Sequence, residues 1–269
     1  MKKSIAIIII IGLKSWLILS CQITYLDRLD KEIAKSFKTR FTFEYEKKDS
    51  ITHLLEKKII SLLKDPSSFD FPFDSLSAEI KILRSTNNKL KIYSWDELGI
   101  GTCHDMSVYA QYKNESGQVL FQRLDSADSD LSAYCTESII TKIYTITIEN
   151  KISYLTIGWG TYGGGQQHSI IQIFRISGNK LVKCEDCFVN PDQRISTNDL
   201  VIVAPRTKEI NLKFNPITQE ITYNEFLDGG KNEGFYFPTG GVVTLKLLNG
   251  KFRKISNGVL KLHNKYRYD

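Results

Sequence analysis

Hydrophobic and polar residues follow three successive patterns along the chain. The run Ile5 to Leu13 is unbroken and apolar. Between Ile51 and Leu63 the apolar positions Ile51, Leu54, Leu55, Ile59, Leu62 and Leu63 recur at helical spacing, with Glu56, Lys57 and Lys64 on the opposite face. Helix is therefore predicted over residues 23 to about 65, its second half capped by Asp49 or Ser50 and stopped by Pro66. That amphipathic face predicts packing against a core, because the polar face is not strongly cationic as a membrane-surface helix would need.

From about residue 78 the period becomes two. Ile80 and Ile82 alternate with Lys81, then Ser85-Thr86-Asn87-Asn88 turns the chain into Leu90 and Ile92. The same grammar joins Val108–Lys113 to Val119–Leu124, Tyr144–Ile148 to Ile152–Trp159, and Ile170–Ile176 to Leu181 and Val182. Near the end Val243, Leu245 and Leu247 run into Asn249-Gly250, the dipeptide suited to a type I′ turn, with Phe252 after it. Strands joined by hairpins predict a mainly β fold, an irregular antiparallel hairpin meander with propeller-like blades or a sandwich as its two forms, and an N-terminal α-helical extension. The strand pairs recur without a fixed period, so no true repeat is assigned.

The first residues change the expected compartment. Lys2 and Lys3 precede the apolar run, and Ile18-Leu19-Ser20 leads to Cys21, a pattern that resembles the lipobox of bacterial lipoproteins. Residues 1–20 are accordingly expected to be a signal peptide, 21–75 a helical extension lipid-anchored through Cys21, and 76–269 the β domain. Lys14 interrupts the apolar stretch and leaves it shorter than the ~18 residues a spanning helix needs. The first partner expected is thus a membrane, reached through acyl chains. Gln22 is not the aspartate that retains many lipoproteins at the inner membrane, so the outer membrane and the periplasmic face both stand as destinations.

Charge narrows the partners. The formal charge is +6, and Lys2, Lys3 and Lys14 of the leader account for three of it, leaving about +3 on the mature chain. Lysines and arginines are interspersed with acids along the strands, which speaks against nucleic acid. Beyond Cys21 stand Cys103, Cys135, Cys184 and Cys187, an even number that in an oxidising compartment predicts disulfides, with three connectivities open.

Several motifs suggest chemistry. Gly158-Trp159-Gly160-Thr161-Tyr162-Gly163 fits G-x-G-x-x-G, but Gly164-Gly165-Gln166-Gln167 leads into the β-like Ile170-Ile171 rather than into a helix, so a hairpin loop is expected instead of a dinucleotide site. Such a loop would present Trp159, Tyr162, Gln166 and His168 to a ligand. Cys184-Glu185-Asp186-Cys187 fits C-x-x-C, yet its two acids oppose the thiolate that a redox cysteine requires. Zinc would need Cys103 and His104 beside that pair and finds no second C-x-x-C, so neither a metal nor another cofactor is assigned. Cys103-His104-Asp105 invites a nucleophile reading, but neighbours on extended chain point to opposite faces, leaving the distant His168 as the base. Asp96 and Glu97 form the most suggestive acidic pair, although glycosidase chemistry depends on a separation that sequence alone does not supply.

The stretch Leu90-Lys91-Ile92-Tyr93-Ser94-Trp95-Asp96, with Tyr154-Leu155 and Ile173-Phe174-Arg175-Ile176-Ser177-Gly178-Asn179-Lys180-Leu181, resembles uncharacterised exported lipoproteins of the Bacteroidetes across roughly residues 78 to 255. In that group Trp-Asp leads to a Gly-Gly-Thr turn, whereas here Asp96 passes through Glu97-Leu98 to Gly99-Ile100-Gly101-Thr102. The resemblance implies export and carries no catalytic residue. The expectation is a non-catalytic cell-envelope lipoprotein, a binding or structural protein with a protein or glycan partner, whose candidate contacts are Trp95, Trp159, Tyr162 and His168. Its rival is an envelope hydrolase acting on carbohydrate or peptide, for which Asp96, Cys103, His104 and His168 would converge in one cleft.

Overall fold

Alternation and helical spacing sort the chain into two units, Met1–Ile80 and Lys81–Asp269, in a computed structural model that describes residues 2–40, 45–98, 104–124, 137–161, 163–189, 198–228 and 236–259. In the first unit, α1 (Lys2–Thr39) runs as one helix through Cys21, and α2 (Tyr45–Lys64) ends where Pro66 was expected to stop it. α2 begins before the expected caps at Asp49 and Ser50. Leu26, Ile33, Ala34 and Phe37 of α1 and Leu55, Ile59, Leu62 and Leu63 of α2 are buried at helical spacing. Leu54, read from sequence as part of that face, is exposed.

A buried acid explains how the helices connect to the turns after them. Asp30 on α1 accepts hydrogen bonds from the backbone N–H groups of Ser75 (2.9 Å) and Leu76 (2.8 Å), satisfying donors at the start of the 3-10 turn Leu76–Ala78. Gln22 donates to Ser67 Oγ at 2.9 Å, which ties the residue after Cys21 to the 3-10 turn Pro66–Phe69. No helix among the described residues is long and apolar enough to cross a membrane.

The described residues of the second unit form three antiparallel sheets, none closed into a barrel. Sheet A is the meander β1 (Lys81–Arg84), β2 (Leu90–Asp96), β3 (Met106–Lys113), β4 (Val119–Arg123). Sheet B continues with β5 (Ile139–Ile148), β6 (Lys151–Thr161), β7 (Gln166–Ser177) and β8 (Lys180–Lys183). β9 (Asp199–Pro205) pairs the first half of β7, and β8 pairs the second. Sheet C is β10 (Lys213–Asn215), β11 (Glu220–Asp228), β12 (Tyr236–Leu248) and β13 (Lys251–Val259). The expected mainly β hairpin meander with an N-terminal helical extension is what forms. Asn249 and Gly250 both have positive φ (50° and 79°), as a type I′ turn requires.

Sheet B is the middle layer. Ile146, Leu155, Ile157, Ile171, Ile173, Leu200 and Ile202 point toward sheet C and pack on Phe214, Ile221, Val243, Leu245 and Phe252. Ile140, Tyr154, Phe174 and Leu181 point toward sheet A and pack on Leu90, Ile92, Val108, Ala110 and Tyr112. A shift in register between Ile140 and Lys142 releases the Ile140 N–H from its ladder, and it donates instead to Ser94 Oγ of sheet A at 3.1 Å.

Among the described residues, Cys184 and Cys187 are bridged, which fits one of the three open connectivities. The pair closes a tight loop with Asp186 in the left-handed region, not the helix N-terminus that a thiolate would use. The loop binds sheet C, since Phe252 N–H donates to Cys187 O and Val189 N–H donates to Phe252 O. Cys103 and Cys135 lie outside the described residues.

Candidate functional site

The surfaces that matter follow from the alternation of β6. Gly158 and Gly160 point to the sheet A face, and Trp159 points to the other. A Cβ at Gly158 would lie 2.8 Å from Ile170 Cγ2 and 2.9 Å from Ser138 Cβ, and one at Gly160 would strike the Glu137 carbonyl oxygen and the His168 ring. The first two glycines of the G-x-G-x-x-G run are therefore strand residues whose missing side chains make room for neighbours. Gly163, Gly164 and Gly165 have positive φ and form the hairpin turn, so no helix follows and no pyrophosphate cradle is built.

The room over these two glycines is taken up by Ser138, just before β5, at Gly158 and by the His168 ring of β7 at Gly160. Ser138 Oγ and His168 Nε2 meet there at 2.7 Å. Serine beside histidine is the geometry of an activated nucleophile, but Ser138 is 6% and His168 0% exposed. No substrate reaches them. They are a buried polar pair in the packing of sheet B, and His168 is not a surface ligand contact. Trp95 is likewise 2% exposed, stacked on Tyr109 with ring centroids 5.8 Å apart, because its face of sheet A is buried. Tyr162 lies outside the described residues.

Trp159 is the expected contact that the structure leaves at the surface, 38% exposed. Its Nε1–H donates to Gln167 Oε1 at 2.8 Å, and Gln167 in turn donates to the carbonyl oxygens of Lys208 (2.7 Å) and Pro205 (3.3 Å). The indole is thus clamped edge-on. It forms the floor of an open cleft of about 580 Å³, walled by the connection from Arg206 to Leu212 and by Lys142 and Lys213. Ile157, where the aliphatic core between sheets B and C ends, closes the inner limit. Arg206 is fixed by donating from Nε to Gln166 O at 3.1 Å.

A second polar cluster lies where the β2–β3 hairpin meets the end of β6. Continuation of the hairpin ladder, with Glu97 N–H donating to Asp105 O, brings His104 over Asp96. His104 Nδ1 and Asp96 Oδ2 are 2.7 Å apart, and Asp96 Oδ1 accepts from Leu98 N–H. The His104 N–H donates to Thr161 Oγ1 at 2.7 Å. An imidazole oriented by a carboxylate is half of a catalytic arrangement. Of the other two residues expected in that cleft, His168 is buried against Ser138, and Cys103 lies outside the described residues. Nearby, Glu137 accepts from Met106 N–H, and burial, reinforced by Asp105, holds its carboxyl above the ordinary carboxylate range.

Another cleft, about 490 Å³, opens where Lys89, Lys113 and Glu115 approach Lys151, Tyr154 and Arg175. Tyr154 is buried at its floor, with its hydroxyl accepting from Asn87, and burial raises the phenol above its ordinary range. Among the described residues, no group of three or more histidines, cysteines, aspartates or glutamates is placed to hold a metal ion. Sequence reasoning gave no site role to Ser138, Gln167, Arg206 or Lys208. The paired strand glycines were the one available signal, since glycine inside a strand marks close approach by its neighbours.

The fold and site define a mainly β protein with an aromatic-floored, cation-lined cleft. No protein-family model, curated protein or solved structure matches the chain.

Proposed function

We propose that this chain is an exported, cell-envelope lipoprotein, anchored through Cys21, whose β unit binds a glycan or protein partner without catalysis. The reading groups it with the exported lipoproteins that its hairpins resemble. The observation that carries the binding role is the clamped, exposed Trp159 on the floor of an open cleft. A rigid amphipathic ring offers contact area at little entropic cost on binding. The anchor rests on the leader pattern and on the position of Cys21, whose thiol is free and exposed. Ile23 and Tyr25 beside it are also exposed, and Arg28 lies 5.7 Å from the Tyr25 ring centroid, a mixture suited to a bilayer interface.

Two experiments test the two halves. Intact mass of protein extracted from native membranes is expected to show cleavage before Cys21 and added acyl chains. With Cys184 bridged to Cys187, thiol labelling is expected to find Cys103 and Cys135 unreactive as well. A retained leader overturns the anchor. Binding is tested by retention of the mature chain on lipid-extracted envelope material.

The rival hydrolase draws its support from the Asp96–His104 pair. Release of reducing sugar or of free amine from that same envelope material, abolished by His104→Ala, would establish it in place of simple binding.

A further inference from the structure

We infer that the Trp159 cleft takes an acidic carbohydrate, an oligosaccharide carrying carboxylate or sulfate groups. This rests on the binding reading above and names its ligand. A sugar ring is amphipathic, with a C–H face that packs on an aromatic plane and a hydroxyl rim that seeks polar partners. Trp159 supplies the plane, and the Gln167 clamp fixes its orientation before any ligand arrives. Around it stand Lys142, Arg206, Lys208 and Lys213 against the single acid Glu209. Among the described residues no carboxylate is paired with Lys142, Lys208 or Lys213, so the cations keep an excess positive field over the cleft.

Two competing ligand classes fit less well. An apolar peptide would want several apolar pockets, and here the aliphatic lining residues Ile157, Ile210 and Leu212 are engaged in the core between sheets B and C, leaving one exposed aromatic ring among lysines, glutamine and serine. Single-stranded nucleic acid would stack successive bases on successive aromatics, and the cleft offers one. The mature chain is also only mildly basic overall, so the positive field is local.

The test is calorimetric titration of the mature chain with an oligogalacturonate, a sulfated oligosaccharide, a neutral galactose oligomer of matched length and a single-stranded oligonucleotide. At least one acidic sugar is expected to bind at least about tenfold more tightly than the neutral oligomer, and to weaken as salt rises. Trp159→Ala is expected to lower that affinity about tenfold or more, as loss of a central aromatic anchor does. Lys208→Glu and Lys142→Glu are expected to weaken it, and Lys151→Glu, in the other cleft, to leave it unchanged.

Equal binding of the neutral oligomer would overturn the acidic specificity and leave carbohydrate binding standing. Equal binding of the oligonucleotide would reduce the cleft to a general anion site. Binding lost in Lys151→Glu but kept in Trp159→Ala would move the site to the other cleft. If neither acidic sugar binds, the inference fails; retention on envelope material then separates that failure from failure of the binding reading itself.

Discussion

The two faces of sheet B are buried to similar degrees but built differently. Toward sheet C, β7 places Gln167 and Ser169 at the Trp159 cleft and then Ile171 and Ile173 in a packed layer that is aliphatic and aromatic. On its other face β7 offers Gln166, His168, Ile170, Gln172 and Phe174, and polar groups are interleaved with apolar ones. Burying a polar group costs free energy unless it is hydrogen-bonded. The second face therefore depends on specific pairs, such as Ser138 with His168 and Thr156 Oγ1 donating to Gln172 O, where the first depends on volume alone. A buried polar face and a solvated one look alike in sequence. That is why His168 reads as a loop ligand and turns out to be an interior residue.

The contrast can be broken from either side. The largest effect is expected on the aliphatic face, where Ile171→Ala should destabilise the β unit by about 3 kcal/mol, seen as a lower denaturation midpoint with little change in slope. On the polar face the limiting factor is space. Gly160→Ala should cost about 2 kcal/mol, because the added methyl meets the Glu137 backbone and the His168 ring, and the backbone gives less readily than a flexible side chain. Ser138→Ala should cost about 1–2 kcal/mol by removing the partner of His168 Nε2 in a water-excluded setting.

A smaller effect is expected at Glu137, and it depends on pH. Because its folded pKa lies above the ordinary 4.5, the proton is held more tightly in the folded state than in the unfolded one. The stability this contributes is complete below about pH 4.5 and is lost as pH rises through the raised value. Glu137→Gln should remove that loss, so the variant gains on the wild type as a denaturation series moves from pH 4 toward neutrality. A constant difference across the series would place the effect of the substitution outside proton linkage.

Much of the architecture was legible because hairpins announce themselves. Asn249-Gly250 and the alternation around Tyr144–Ile148 needed no tertiary information. No strand was read between residues 199 and 228, and each omission has a physical cause. β9 is almost wholly apolar, Leu200 to Ala204, because both of its faces are buried, so it carries no alternation. β10 is three residues long. β11 alternates through Ile221 and Tyr223, then loses the period at the register shift between Asn224 and Phe226.

The candidate site was half legible. Trp95 and Trp159 each sit in a strand beside small or polar residues, and only what covers each face separates the buried ring from the exposed one. Of the cations of the cleft, Arg206 and Lys208 come from the connection between β9 and β10 and Lys213 from the start of β10, which sequence could not bring against β6.

The central claim is that the β unit binds through Trp159, and retention on lipid-extracted envelope material with Trp159→Ala and His104→Ala in parallel tests it most directly. Trp159→Ala should melt within about 1 kcal/mol of the wild type, since the ring is substantially exposed, yet lose retention about tenfold or more. His104→Ala should be retained as the wild type is, with the material left intact. Undiminished retention of Trp159→Ala, or breakdown of the material that stops in His104→Ala, would contradict binding through Trp159 and favour a hydrolase centred on Asp96 and His104.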